Sequence, residues 1–147
     1  MPFWTSLADL WRRWRGEPPG DRPAALRLFV APLAPWPSWH PAKGADGEPL
    51  LQIVVELEAA NRTDEEIRIV SARLRDHPAQ QSGFTVGPRG GPFAKDRPIP
   101  PRGRAHLVLM FFVRGRRYAP GQVFSDMVIL RDQAGREHRL KVGVRGR

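Results

Sequence analysis

The chain has 147 residues, 24 basic against 15 acidic side chains for a net charge of +9, and no cysteine. That length suits one domain able to bury a core of its own, and the absence of thiols excludes a disulfide framework and any cysteine-ligated zinc or iron–sulfur centre. Fourteen glycines and sixteen prolines are many, yet below the share that marks low-complexity disorder.

Residues 5–15 predict a helix. Thr5 or Ser6 can cap it, and Asp9 stands in the first turn, where negative charge meets the positive end of the helix dipole. Arg12, Arg13 and Arg15 occupy the last turns, where positive charge is favoured. Trp4, Leu7, Leu10, Trp11 and Trp14 recur three or four residues apart and so share one face. Gly16 and the run Pro18-Pro19-Gly20 end the helix. The organisation that follows is a tryptophan-rich amphipathic helix over 1–16, a linker over 17–23 and a β-sandwich over 24–147.

Leu26–Ala31 reads as a first strand. Residues 32–49 read as a proline-broken loop, with Trp36 and Trp39 as its anchors into the core. Leu50–Ala59 alternates cleanly: Leu51, Ile53, Val55, Leu57 and Ala59 on one face, Gln52, Glu56 and Glu58 on the other. Asn61-Arg62-Thr63-Asp64 is a turn by composition. Ile67–Leu74 follows as a strand whose apolar phase changes, which predicts a bulge near Ile69–Val70. The stretch 76–103 reads as irregular, with a short strand at Gly83–Val86 and prolines 98, 100 and 101 stopping any ladder. Ala105–Val113 is apolar on both faces and is expected to be buried on both. Val123–Arg131 and Glu137–Val144 form a hairpin through Asp132-Gln133-Ala134-Gly135; His138, Leu140, Val142 and Val144 point inward.

Six or seven short strands with period-two patterning and a closing hairpin define an all-β sandwich. The stretches LLQIVVELEAANRTDEEIRIVSARL (50–74), PIPPRGRAHLVLMFFV (98–113) and FSDMVILRDQAGREHRLKVGV (124–144) resemble the strand pairs of bacterial immunoglobulin-like β-sandwich domains. The Cys-Trp-Cys core of antibody-type domains is absent. The resemblance implies an antiparallel sandwich used for adhesion, scaffolding or adaptor work, and it implies no catalytic residue.

The residues offer little chemistry. His40, His77, His106 and His138 are never two to five positions apart, so no zinc spacing exists. His106 and His138 could meet in space; each reads as a hydrogen-bonded strand histidine. No serine lies in G-x-S-x-G. Asp126, Asp132 and Glu65-Glu66 read as solvated turn charges. The glycine-rich 87–92 segment lacks the Gly-Lys-Ser/Thr end of a phosphate loop. No enzyme, cofactor, metal or small-molecule substrate is therefore expected.

Charge carries more signal. Residues 83–147 hold fourteen basic and four acidic side chains. Arg114, Arg116 and Arg117 cluster at one strand end, and Arg139, Lys141 and Arg145 lie on the outer face of the last strand. These six form the candidate polyanion surface. Phe3, Trp4, Leu7, Leu10, Trp11 and Trp14, with Arg12, Arg13 and Arg15, form a candidate docking segment for an anionic membrane or a protein partner. Few aromatics interleave the basic cluster, so nucleic acid ranks below membrane. The expectation is a cytoplasmic binding or adaptor module, peripherally membrane-associated through this helix and the basic surface. Polyanion or nucleic-acid binding is the alternative, and a structural subunit with its helix packed on its own sheet is another.

Overall fold

The structure, a computed structural model, describes residues 24–31, 37–88, 94 and 97–147. The expected helix over 1–16, its docking residues Phe3, Trp4, Leu7, Leu10, Trp11, Arg12, Arg13, Trp14 and Arg15, the 17–23 linker and most of the glycine-rich segment lie outside the described residues. Those residues form eight strands and no helix: β1 (Leu26–Val30), β2 (Ser38–Lys43), β3 (Pro49–Asn61), β4 (Ile69–Leu74), β5 (Gln81–Gly87), β6 (Arg104–Arg114), β7 (Val123–Asp132) and β8 (Glu137–Gly146).

The strands join as one sheet in the order β4-β7-β8-β2-β3-β6-β5, with β1 also paired to β3. The all-β expectation holds. The immunoglobulin-like sandwich of two separate sheets does not describe this connection, because β2 bridges the two layers. Ser38 and Trp39 pair in parallel with Arg145 and Gly146 of β8, while the whole of β2 runs antiparallel to β3. The sheet is thereby nearly closed and barrel-like.

β2 lay unrecognised inside the predicted loop. Its sequence, SWHPAK, carries a proline and no clean alternation. Pro41 is tolerated because β2 is bonded to β8 only at its first two residues, so Pro41 lacks a ladder neighbour on that side. Trp39 supplies the anchor: it is 2% exposed, and its indole N–H donates to the Gln122 carbonyl at 2.7 Å.

β3 and β6 form the centre of the larger layer, in register from Leu50↔Arg114 to Ala60↔Arg104. Leu51, Ile53, Val55, Leu57 and Ala59 face Leu107, Leu109, Phe111 and Val113 in the interior. Burying each large apolar side chain contributes about 1.5–3 kcal/mol, so this pair dominates the core. The opposite face of β6 (His106, Val108, Met110 and Phe112) is half-buried rather than fully covered. In β4 the register slips between Ile69 and Ser71 and Val70 turns outward, 52% exposed, as the change of apolar phase required. Gly135 takes φ 79 in the β7–β8 turn, a left-handed position that favours glycine.

Candidate functional site

Two carboxylates that read as turn charges are in fact buried. Asp126 on β7 is 2% exposed and Asp132 at its end 1%. The reason is parity: both fall on the inward face of β7 with Val128 and Leu130. Each is buried with a histidine beside it.

Asp126 accepts hydrogen bonds from the backbone N–H groups of Asp76 and Met127 at 2.9 and 2.6 Å. Its second oxygen meets Nδ1 of His77 at 2.5 Å, and Nε2 of His77 meets the Tyr118 hydroxyl at 2.6 Å. A carboxylate only accepts, so Nδ1 carries the hydrogen of the first contact, and Nε2 shares the second with the Tyr118 hydroxyl. Phe124 stacks on Tyr118 at 4.7 Å, and Trp39 meets Tyr118 in a tilted contact at 5.7 Å. The order carboxylate–imidazole–hydroxyl has the parts of a relay that activates a hydroxyl. Here the Tyr118 ring packs against Phe124 and Trp39 and the imidazole is 3% exposed, so the chain ties residues 76–77 to β7 and the β6–β7 connection.

Asp132 closes the β7–β8 turn. It accepts from the backbone N–H of Ala134 and Arg136 at 2.8 and 3.1 Å, from Arg136 Nε at 2.9 Å and from His138 Nε2 at 2.8 Å. Burial alone would raise its pKa. The hydrogen bonds from His138, the two backbone groups and Arg136 outweigh that, and the carboxyl is held below its usual range. His106 pairs with Glu56 at 3.1 Å on the outer face of β6 and β3. His106 and His138 thus face different sides of the sheet, each with its own carboxylate, and do not meet.

The six residues of the expected polyanion surface are dispersed. Arg114 pairs with Asp46 at 3.1 Å. Arg116 donates to the Asp76 carbonyl at 3.1 Å, and Arg117 stands beside it, exposed. Arg139 and Lys141 lie on the outer face of β8, where Arg139 pairs with Glu137 at 3.2 Å. Arg139 and Arg73 together hold the Glu137 carboxyl below its usual range. Arg145 lies further along the same outward row of β8, where the strand meets Ser38 of β2. Arg114 and Arg139 are paired with carboxylates in place, while Arg117 and Lys141 stand exposed.

A different set of arginines does converge. Arg27 and Arg104 both stand opposite Ala60, in one row across β1, β3 and β6. With Arg62 and Phe29 they line a hollow of about 400 Å³. The sequence held two signals for it, an arginine at an outward strand position and an alanine in the strand later paired with it. The pairing itself was not readable.

An all-β domain with a nearly closed sheet and internally satisfied polar clusters is the class these features define. Among solved structures, the copper-bound PCuAC domain from PmoF2 is similar, with a TM-score of 0.51 over 84% of this chain and 95% of that domain at 12% identity. No family model and no curated protein sequence matches the chain. At that identity the likeness carries the fold.

Proposed function

We propose that this chain is a non-catalytic binding or adaptor module that works at an anionic membrane surface or on a protein partner. Residues 3–15 are the docking segment in this reading, and the basic surface of Arg114, Arg116, Arg117, Arg139, Lys141 and Arg145 adds long-range attraction. One observation carries it: the buried polar clusters that could do chemistry are closed on themselves, while cationic side chains are left to solvent. The structural neighbour is itself named as copper-bound. Its copper is not transferred to this chain, because among the described residues no three His, Cys, Asp or Glu side chains gather as a donor set. The reading also places the chain in the cytoplasm, peripheral to the membrane.

The test compares the full chain with a version starting at Asp21, by thermal stability and by flotation with anionic vesicles. Unchanged stability with lost flotation establishes the anchor. A large stability loss without vesicle binding by the full chain assigns the segment to the core and removes the docking reading. Arg139→Glu with Lys141→Glu separates the basic surface, and any polyanion binding must fall steeply as salt rises.

A further inference from the structure

Arg27, Ala60 and Arg104 form one cross-strand row on the outer face of β1, β3 and β6. Neighbouring strands lie about 4.8 Å apart, so the two arginine backbones stand roughly 9.6 Å apart. The methyl group of Ala60 is the floor between them. A longer side chain there would fill the space, and alanine leaves it open.

The third arginine is placed by backbone bonds. Arg62 N–H donates to the Ala25 carbonyl at 2.9 Å, and Asn61 N–H donates to Gly103 at 2.9 Å. These tie the end of β3 to the starts of β1 and β6. Asn61 is 3% exposed, and its amide donates to the carbonyls of Glu65, Ile99 and Pro100 at 2.7–3.2 Å. The position of Arg62 is therefore held from beneath. Arg104 is oriented from the side, with its guanidinium 5.7 Å from the centre of the Phe29 ring.

No described carboxylate lies within ion-pair distance of Arg27, Arg62 or Arg104. Arg73, Arg75, Arg102, Arg114, Arg136 and Arg139 each have one. Three guanidiniums around one hollow match a doubly charged tetrahedral oxyanion better than a single carboxylate, because each planar fork can hold two oxygens. The hollow of about 400 Å³ exceeds what the anion alone needs, and Phe29 offers an apolar wall for the remainder. Glu58, opposite Phe29 in the next row, repels a second negative group on that side. The ligand that fits is a phosphate monoester with an uncharged remainder.

We infer that Arg27, Arg62 and Arg104, with Phe29 as wall and Ala60 as floor, form a binding site for a phosphate monoester. The site does not depend on the docking reading, because it uses none of residues 3–15 and none of the C-terminal basic set.

The experiment is calorimetric titration of the full chain with phenyl phosphate, beside flotation with phosphatidic acid vesicles. Four variants accompany it: Arg27→Gln with Arg104→Gln, Ala60→Leu, Arg62→Gln and, as control, Arg139→Gln. Saturable phenyl phosphate binding that weakens at least tenfold in the double variant and in Ala60→Leu, and less than twofold in Arg139→Gln, establishes the site for a soluble monoester. Vesicle binding alone with the same pattern establishes it for a lipid headgroup. No saturable binding to either probe overturns the inference, as does a loss in Arg139→Gln equal to that in the double variant. Unchanged melting temperatures for the variants show that the effect lies in the site.

Discussion

Removing the Asp126 carboxylate isolates the energetics of the buried relay. Asp126→Ala leaves three donors without an acceptor: the N–H groups of Asp76 and Met127 and Nδ1–H of His77. A buried donor left unsatisfied costs about 1–3 kcal/mol, and breaking a buried pair by deleting one partner costs about 3–5 kcal/mol. The three donors share one vacated carboxylate, so their losses do not simply add and the total stays near the pair figure. We expect a loss of about 3–5 kcal/mol, which for a domain this size lowers the melting temperature by roughly 6–20 °C. Asp126→Asn keeps the shape and one oxygen, and should lose about 1–3 kcal/mol. Tyr118→Phe keeps the stack on Phe124 and should lose about 0.5–1.5 kcal/mol. Urea unfolding followed by tryptophan fluorescence at pH 7 gives the three values from midpoint shifts at constant slope. A loss below about 1 kcal/mol for Asp126→Ala, or one no larger than that of Tyr118→Phe, would refute the account.

Three further outcomes follow from geometry. Because the folded carboxyl of Asp132 is held below its usual range, its contribution is present above the unfolded value near ~3.9 and lost as pH falls through the folded one; Asp132→Asn should flatten this acid limb in urea midpoints taken between pH 6 and pH ~2.5. Asn61→Ala removes the donor shared by the carbonyls of Glu65, Ile99 and Pro100 and should cost about 2–3 kcal/mol, read by thermal melting. Gly146→Ala places a carbon 2.6 Å from Trp39 Cζ2 and 2.9 Å from the Gly121 nitrogen; overpacking of this kind costs about 1–3 kcal/mol, and Trp39→Phe should recover part of it in the double variant.

The strands with clean alternation were legible because burial on one face leaves a period of two. β3, β6 and β8 came out within a few residues of their observed ends, and the bulge at Val70 was readable as a slip of phase. β2 was not, since its backbone is held by neighbours and not by its own pattern, and Pro41 argued against a strand. Asp126 and Asp132 were misread for a related reason. A carboxylate near a turn is usually solvated, and the partners that make burial tolerable include His77 and His138, 49 and 6 positions away. The convergence of Arg27, Arg62 and Arg104 depends on strand register over dozens of residues, which composition does not encode. Charge was legible in amount and half of the chain, and its placement was not.

The position of β8 has a consequence for biogenesis. The last of the described strands to be synthesised lies inside the sheet order, between β7 and β2, and Arg147 N–H donates to the Trp39 carbonyl at 3.0 Å. Until residues 137–147 leave the ribosome, the edge of β2 that receives β8 has no neighbour, and the core under Trp39 stays open. Bare strand edges recruit other chains. Pro41 removes one donor from that edge, so the residue that obscured β2 in the sequence also limits unwanted pairing until β8 arrives.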